Sequence, residues 1–431
     1  MGGLSTAGRV MPARLAAAGP WVFGVCVTLH LLTVVLWPTA NWLLIDMQVY
    51  RAGGDHVLHG AQLYDQPVLG PLMFTYPPFA AVLFAPLAVL PVPVVQVLVL
   101  ALDLVLLYAI ARLCLRRLTT ARGSELARLS LFAAGLAIWI DPIRITIYLG
   151  QINIVLLALV VFDLCGKRGR WTGVGVGIAG AIKLTPLIFV PFLLITRQFR
   201  AAAVATGTFA ATVVLGFLFA PASSGRFWFG GTFMHLNRVA VPTEPGNQSI
   251  NGVLLRAFGD GQLKTVLWIG LTVVIGVAGM ALAAAAYRRG EWLPAIALVG
   301  MLGCAISPFS WNHHWVWPAL LLVWLFAKGT SRGMRAALIG FLVCLGLPNA
   351  FPMPFQPTPA IVSGWMYAPV TGWFSVHVLH NLWMLVYLAA GIGFARWLRT
   401  TKPIEKLDVI RPRSESQSVR RPPKTDSAAA G

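Results

Sequence analysis

Charge is scarce in this chain. Only 11% of its 431 residues are charged, and acids are the scarcer sign, 14 Asp and Glu against 33 Lys and Arg. Soluble domains carry about a quarter charged residues, so the soluble class is excluded. The five cysteines, Cys26, Cys114, Cys165, Cys304 and Cys344, have no paired spacing of the metal-binding or redox kind. All lie within or at the ends of apolar runs and read as small core hydrophobes. There is no P-loop, dinucleotide fingerprint, zinc cluster or carboxylate pair with metal spacing, so no cofactor and no metal site is expected. No small-residue cleavage site closes the first apolar run, which reads as an uncleaved anchor. No convincing internal repeat relates two halves, which counts against the rival reading of a lipid or sugar transporter or flippase.

Apolar sequence is abundant. With 58% hydrophobic residues and a mean hydropathy of +0.76, the chain is expected to be an all-α, polytopic integral membrane protein. Runs such as 93–113 and 265–287 reach the ~20 residues that cross ~30 Å of hydrocarbon. Twelve spans are placed near 21–37, 93–113, 129–146, 151–165, 172–182, 186–196, 203–220, 265–287, 292–306, 315–327, 336–348 and 376–396. This threading puts 26 of the 33 Lys and Arg on one side, which the positive-inside rule makes cytoplasmic, together with both termini. The charges form clusters between spans and no single basic face, so the net charge of +19 does not indicate nucleic acid.

Two segments need separate treatment. A full crossing at 79–92 would put the arginines of 112–128 on the wrong side, so it reads as a re-entrant or interfacial hairpin. The stretch 171–196 has basic flanks, KRGR and RQFR, that both belong in the cytoplasm. Two short helices turning at Lys183, Leu184, Thr185 and Pro186 satisfy both flanks. A lysine at membrane depth costs roughly 2.5–3.5 kcal/mol, so Lys183 should face an anion or a wet cavity.

The candidate chemistry falls on the opposite, external side: 38–78, a short turn at 141–150, the Lys183 turn, 221–264, 307–314 and 349–375. The central stretch is 38–78, a polar loop closed by the stiff turn Tyr76, Pro77, Pro78. Asp46 follows an apolar shoulder, Trp42 to Ile45, that should partly bury it and raise its pKa, suiting it to take a proton from a hydroxyl; helix capping is the plainer alternative. Asp55 and Asp65 read as solvated. In SPFSWNHHWVW, Trp311 and its neighbours surround His313 and His314. An interfacial aromatic belt is the plain reading; an imidazole on a phosphate or sugar oxygen, flanked by rings that stack on sugar, is the better one. Arg144, Lys183, Arg226 and Arg238 are external cations of which some would clamp a phosphate. Tyr76, Gln151, Asn153, Asn247 and Gln248 offer hydroxyls and amides for a sugar. The tail 401–431 is basic, poor in hydrophobes and expected to be a disordered cytoplasmic extension. The uncharged, aromatic 349–375 loop suits lying on lipid.

Taken in order, IDMQVY, TYPPFAAVLFAPL, GQINIVLLALVVFDL, RWTGVGVGIAGAIKLTPLIF, GNQSINGVLLR and SPFSWNHHWVW resemble the successive motifs of family 87 glycosyltransferases. The match runs from about residue 42 to 327. The resemblance implies a GT-C fold over 1–400 with its catalytic first external loop at 38–78. It also implies inverting α-(1→2) mannosyl transfer at the outer face of the cell membrane, from a polyprenyl-phosphate-mannose donor to a mannosylated phosphatidylinositol glycolipid, lipomannan or lipoarabinomannan. Asp46 matches the family's first-loop aspartate, the base. His313 or His314 matches its histidine motif, and Lys183 becomes a ligand of the lipid phosphate. A phosphate leaves without acid help, so one privileged carboxylate suffices.

Overall fold

A computed structural model describes residues 13–35, 44–166, 169–234, 240–328, 339–340, 351–352, 359–360, 365–367 and 372–400. The protein is helical, as expected. A two-residue antiparallel ladder, Phe351–Pro352 against Pro359–Ala360, is the exception among the described residues.

Among these residues, five helices are long and apolar enough to cross a membrane: Ala13–Thr33, Val92–Leu118, Phe199–Phe219, Gln262–Arg288 and Trp373–Thr400. A sixth crossing exists if Gly123–Ile138 and Asp141–Leu149, bent by 82°, count as one. The expected twelve spans are therefore not confirmed among the described residues. The others are short helices such as Asn153–Cys165, Trp292–Ile306 and Pro318–Ala327, too short to cross ~30 Å alone. Their burial explains how short pieces survive. Nearly all of Trp292–Ile306 is buried, whereas the long helices expose their aliphatic faces, with Val97, Leu218 and Val277 at 67%, 69% and 67%. Long rods face lipid and short ones fill the interior.

In chain order the elements that position the site are α1 (Ala13–Val35), α2 (Ile45–Leu58), α3 (Pro78–Ala88), α4 (Val92–Leu118), α5 (Gly123–Ile138), α6 (Asp141–Leu149), α7 (Asn153–Cys165), α8 (Val174–Ile182), α9 (Phe189–Ile195), α10 (Phe199–Phe219), α11 (Pro221–Trp228), α12 (Ile250–Phe258), α13 (Gln262–Arg288), α14 (Trp292–Ile306) and α15 (Pro318–Lys328). The C-terminal helix is Leu382–Thr400.

Two expected loops are helices. Most of the first half of 38–78 is α2, because Met47, Tyr50 and Gly54 recur on one buried face while Asp55 and His59 stay outside. That face packs closely on its neighbours: a Cβ at Gly54 would stand 2.7 Å from the carbonyl carbon of Phe84 in α3, and one at Gly53 would run into the Phe74 ring. The expected turn at 141–150 is α6, restarted by Pro142 after the bend and wholly buried but for Leu149. At 79–92, α3 is 11 residues long, about 16 Å, and leads through a short turn into α4. The 171–196 expectation holds as drawn: α8 ends at Ile182, Lys183 is extended, and a 3₁₀ turn at Thr185–Ile188 restarts the chain into α9.

Asp163 caps α8 by accepting the backbone N–H of Gly173 and Val176, and Asp103 is buried within α4. Residues 38–43, Arg238, the 336–348 span apart from 339–340, most of 349–375, the first 12 residues and the 401–431 tail lie outside the described residues.

Candidate functional site

One cavity of about 260 Å³ gathers groups from across the chain. Asp46, Tyr76, Gln151, Lys183, Trp311 and His314 line it, on walls supplied in part by Leu72, Phe227 and Phe309. None of these polar groups belongs to one of the five long helices. They sit at helix ends and connectors, where the backbone is free to aim a side chain.

Asp46 is in the first turn of α2, where the helix dipole favours a carboxylate. The residue that starts this helix, Leu44, holds a left-handed backbone (φ 55°) unusual for a branched apolar side chain. Its N–H donates to the Tyr148 carbonyl at 2.8 Å, which ties the start of α2 to the end of α6. Burial raises the Asp46 carboxyl to about 6, against opposing pulls from a hydrogen bond with Gln151 and from Lys183.

Lys183 reaches the cavity from the break after α8. Its Nζ donates to Asn153 Oδ1 at 3.2 Å and lies 5.7 Å from the centre of the Tyr76 ring. Burial lowers the amine to about 8 although Cys304 and Asp46 pull it upward. Asn153 is held in turn, its Nδ2 donating to the His313 carbonyl at 2.9 Å. Lys183, Asn153 and His314 also border a water-sized cavity of about 20 Å³ beside the larger one.

The paired histidines separate. His314 faces the cavity, while His313 is buried and stacks on Trp311, with ring centres 6.0 Å apart at 17°. Burial and the nearby Lys183 charge hold both rings well below the usual imidazole value, so each is neutral at physiological pH. Among the described residues, no three His, Cys, Asp or Glu side chains stand together as a metal site.

An aspartate, a lysine and a neutral imidazole around one cavity fit a group transfer that needs a base and a seat for an anion. The family model of glycosyltransferase family 87 matches residues 74–308. The chain belongs to that family.

Relatives agree along most of the length of this family 87 glycosyltransferase. It is 36% identical over 301 residues, 65% of this chain and 70% of the relative, to a polyprenol-phosphate-mannose-dependent alpha-(1-2)-phosphatidylinositol mannoside mannosyltransferase of Mycobacterium tuberculosis. It is 31% identical over 404 residues, 90% of this chain and 92% of the relative, to a polyprenol-phosphate-mannose-dependent alpha-(1-2)-phosphatidylinositol pentamannoside mannosyltransferase of Mycolicibacterium smegmatis. No solved structure matches the chain. Membership of a glycosyltransferase family sets aside the transporter reading.

In the family 87 enzyme, some expected site residues stand elsewhere. Arg144 is fully buried in α6, interacting electrostatically with Asp141, and does not line the cavity, because the segment expected as an exposed turn is an interior helix. Asn247 and Gln248 are fully buried too. Asn247 Oδ1 accepts from the Ser310 N–H at 3.1 Å. Gln248 Nε2 donates to the His380 carbonyl at 2.7 Å, and its Oε1 accepts from the Trp383 N–H at 2.9 Å. Both amides therefore brace the histidine loop against the start of the C-terminal helix. Arg226 pairs with Asp65 at 2.6 Å. Sequence reasoning missed Tyr50, whose signal was its position one helical turn after Asp46.

Proposed function

We propose that this protein transfers mannose from a polyprenyl-phosphate-mannose donor to a mannosylated phosphatidylinositol glycolipid, forming an α-(1→2) link with inversion. The activities for which the relatives are named support donor and acceptor class alike. In this reading the site faces the external side of the cell membrane and both termini face the cytoplasm, as the distribution of Lys and Arg supports.

Asp46 is the base. Its carboxylate takes the proton of the acceptor hydroxyl as that oxygen bonds to the anomeric carbon. The bond from that carbon to the phosphate oxygen breaks on the opposite face, and the electron pair leaves with the polyprenyl phosphate. Lys183 stabilises the charge that gathers there, and neutral His314 donates a hydrogen bond to a phosphate or sugar oxygen. Trp311 and Tyr76 give the sugars flat surfaces. Arg144, Asn247 and Gln248 keep the frame in register and touch neither substrate.

The observation that carries this reading is the shared cavity of Asp46, Lys183 and His314 in a family 87 chain. Purified protein in detergent, given polyprenyl-phosphate-mannose and phosphatidylinositol mannosides, should form a mannosylated lipid, whereas Asp46→Asn should fold and form none. Product formation by that variant would remove Asp46 as base.

A further inference from the structure

Tyr50 takes no part in the transfer chemistry above, yet it is buried in the wall beside Asp46 and bonded on every polar edge. Its oxygen accepts the Ile152 N–H at 3.3 Å. Its own proton then goes to Gln151 Oε1 at 2.7 Å or to the Tyr76 oxygen at 2.9 Å. Tyr76 lies 3.2 Å from the same Gln151 oxygen. Two phenol donors thus converge on one side of a carboxamide. With the Gln151 oxygen bonded by the tyrosine hydroxyls, its NH₂ faces the other way. On that other side is the cavity that Gln151 lines together with Asp46, whose charged form Gln151 favours.

We propose that Gln151 is the positioning residue of Asp46, its carboxamide locked by the hydroxyls of Tyr50 and Tyr76 so that the NH₂ holds one carboxylate oxygen and leaves the other for the acceptor hydroxyl. This rests on the reading of Asp46 as base.

The lock is stiff. Tyr50 stacks on Phe84 with ring centres 4.5 Å apart at 18° and meets Tyr76 edge-on at 5.1 Å and 89°. Gln151 is itself buried, and its N–H donates to the Thr146 carbonyl at 2.9 Å. It follows Gly150, whose left-handed φ of 67° turns the chain out of α6 at a point where a Cβ would stand 2.9 Å from that of Met47, the neighbour of Asp46. Sugar binding, the role read for Gln151 from the sequence, would use its amide in a different way. An amide whose oxygen is filled by two phenols and whose nitrogen serves a carboxylate has little left for a substrate.

Losing the donor should do two things to Asp46. The carboxyl gains freedom to rotate, and its charged form loses a partner, so a higher pH is needed to ionise it. The charged and titratable groups facing Asp46 from the packed elements are Lys183 from the α8 break, Tyr50 on its own helix, Tyr76 before α3, and His314 across the cavity. Of these, Lys183 alone is a cation at neutral pH, and it stays in place when Gln151 changes.

The test uses the full chain in detergent, with polyprenyl-phosphate-mannose and a phosphatidylinositol mannoside, reading kcat/KM from about pH 5 to 9. In Gln151→Met, close in shape but without a donor, the acid limb should move up by about one unit, an approximately fivefold loss at pH 6 that nears tenfold at pH 5 and recovers at pH 8. In Tyr50→Phe/Tyr76→Phe, where the amide is kept but unlocked, the limb should move the same way by about half a unit, about twofold at pH 6. A loss uniform across pH in Gln151→Met, or in the double variant should Gln151→Met fail to fold, would overturn the proposal and leave Gln151 a structural or substrate-contact residue. The two readings fail separately. An active Asp46→Asn defeats the base assignment; an inactive Asp46→Asn with an unmoved acid limb in the Gln151 variant defeats the positioning role alone.

Discussion

Lys183 and Asn153 share a hydrogen bond of 3.2 Å from ammonium to amide oxygen, and the amide is held from behind by the His313 carbonyl. A flexible lysine is thereby aimed by a rigid neighbour. Removing the amine in Lys183→Met should lower kcat/KM for the polyprenyl donor on the order of 10²-fold, with a much smaller change in KM for the acceptor. Steady-state kinetics with each lipid varied in turn reads the difference. Equal effects on both lipids would contradict a phosphate role.

The pH profile follows from the two opposed groups. Asp46 must be ionised and sits at about 6; Lys183 must be protonated and sits at about 8. Transfer should therefore rise through the first value and decline through the second. Neither histidine contributes a limb, since burial keeps both neutral.

Stability has the opposite sign at Asp46. Its folded value is above the usual 3.8, so the stabilisation from holding the proton is complete below pH 3.8 and is lost as pH rises through about 6. At pH 7.5, Asp46→Asn should melt at or above the wild-type temperature while making no product. Thermal unfolding in detergent, read beside the transfer assay, checks both halves.

His314 and His313 should not be equivalent. His314→Ala empties a position on the cavity wall and is expected to reduce transfer on the order of 10²-fold. His313→Phe keeps a ring against Trp311 and should retain most activity. The reverse ranking would return the role to His313.

Gln248→Ala should act on folding. It leaves the Trp383 N–H without its buried acceptor, at a cost of about 1–3 kcal/mol, while Arg256 still donates to the His380 carbonyl. The expected result is a lower melting temperature with acceptor KM unchanged in the protein that folds.

The sequence was most readable where chemistry and punctuation coincide. Lys183 between two apolar runs, followed by Pro186, announced both the break and the cavity, because a charge at that depth needs a wet neighbour and a proline cannot continue a helix. Asp46, Gln151, Trp311 and the histidine pair were legible as polar groups at the edges of apolar runs. Polar content misled elsewhere. Asp55, His56 and His59 gave 38–78 the look of a loop although Met47, Tyr50 and Gly54 kept helical spacing. Arg144, Asn247 and Gln248 looked like exposed donors because local sequence does not reveal that another segment covers them. The span count was harder to read for a related reason: an apolar run of 9 to 15 residues reads alike whether it faces lipid or protein.

The division between lipid-facing rods and buried short helices has a practical consequence. Val97, Leu218 and Val277 are exposed on the long helices, so exchanging one aliphatic for another there should leave turnover alone. The reacting groups hang from joints between the rods. A stretch or thinning of the host bilayer would be absorbed first by the outer shell, while the joints, tied to one another by hydrogen bonds, keep their spacing.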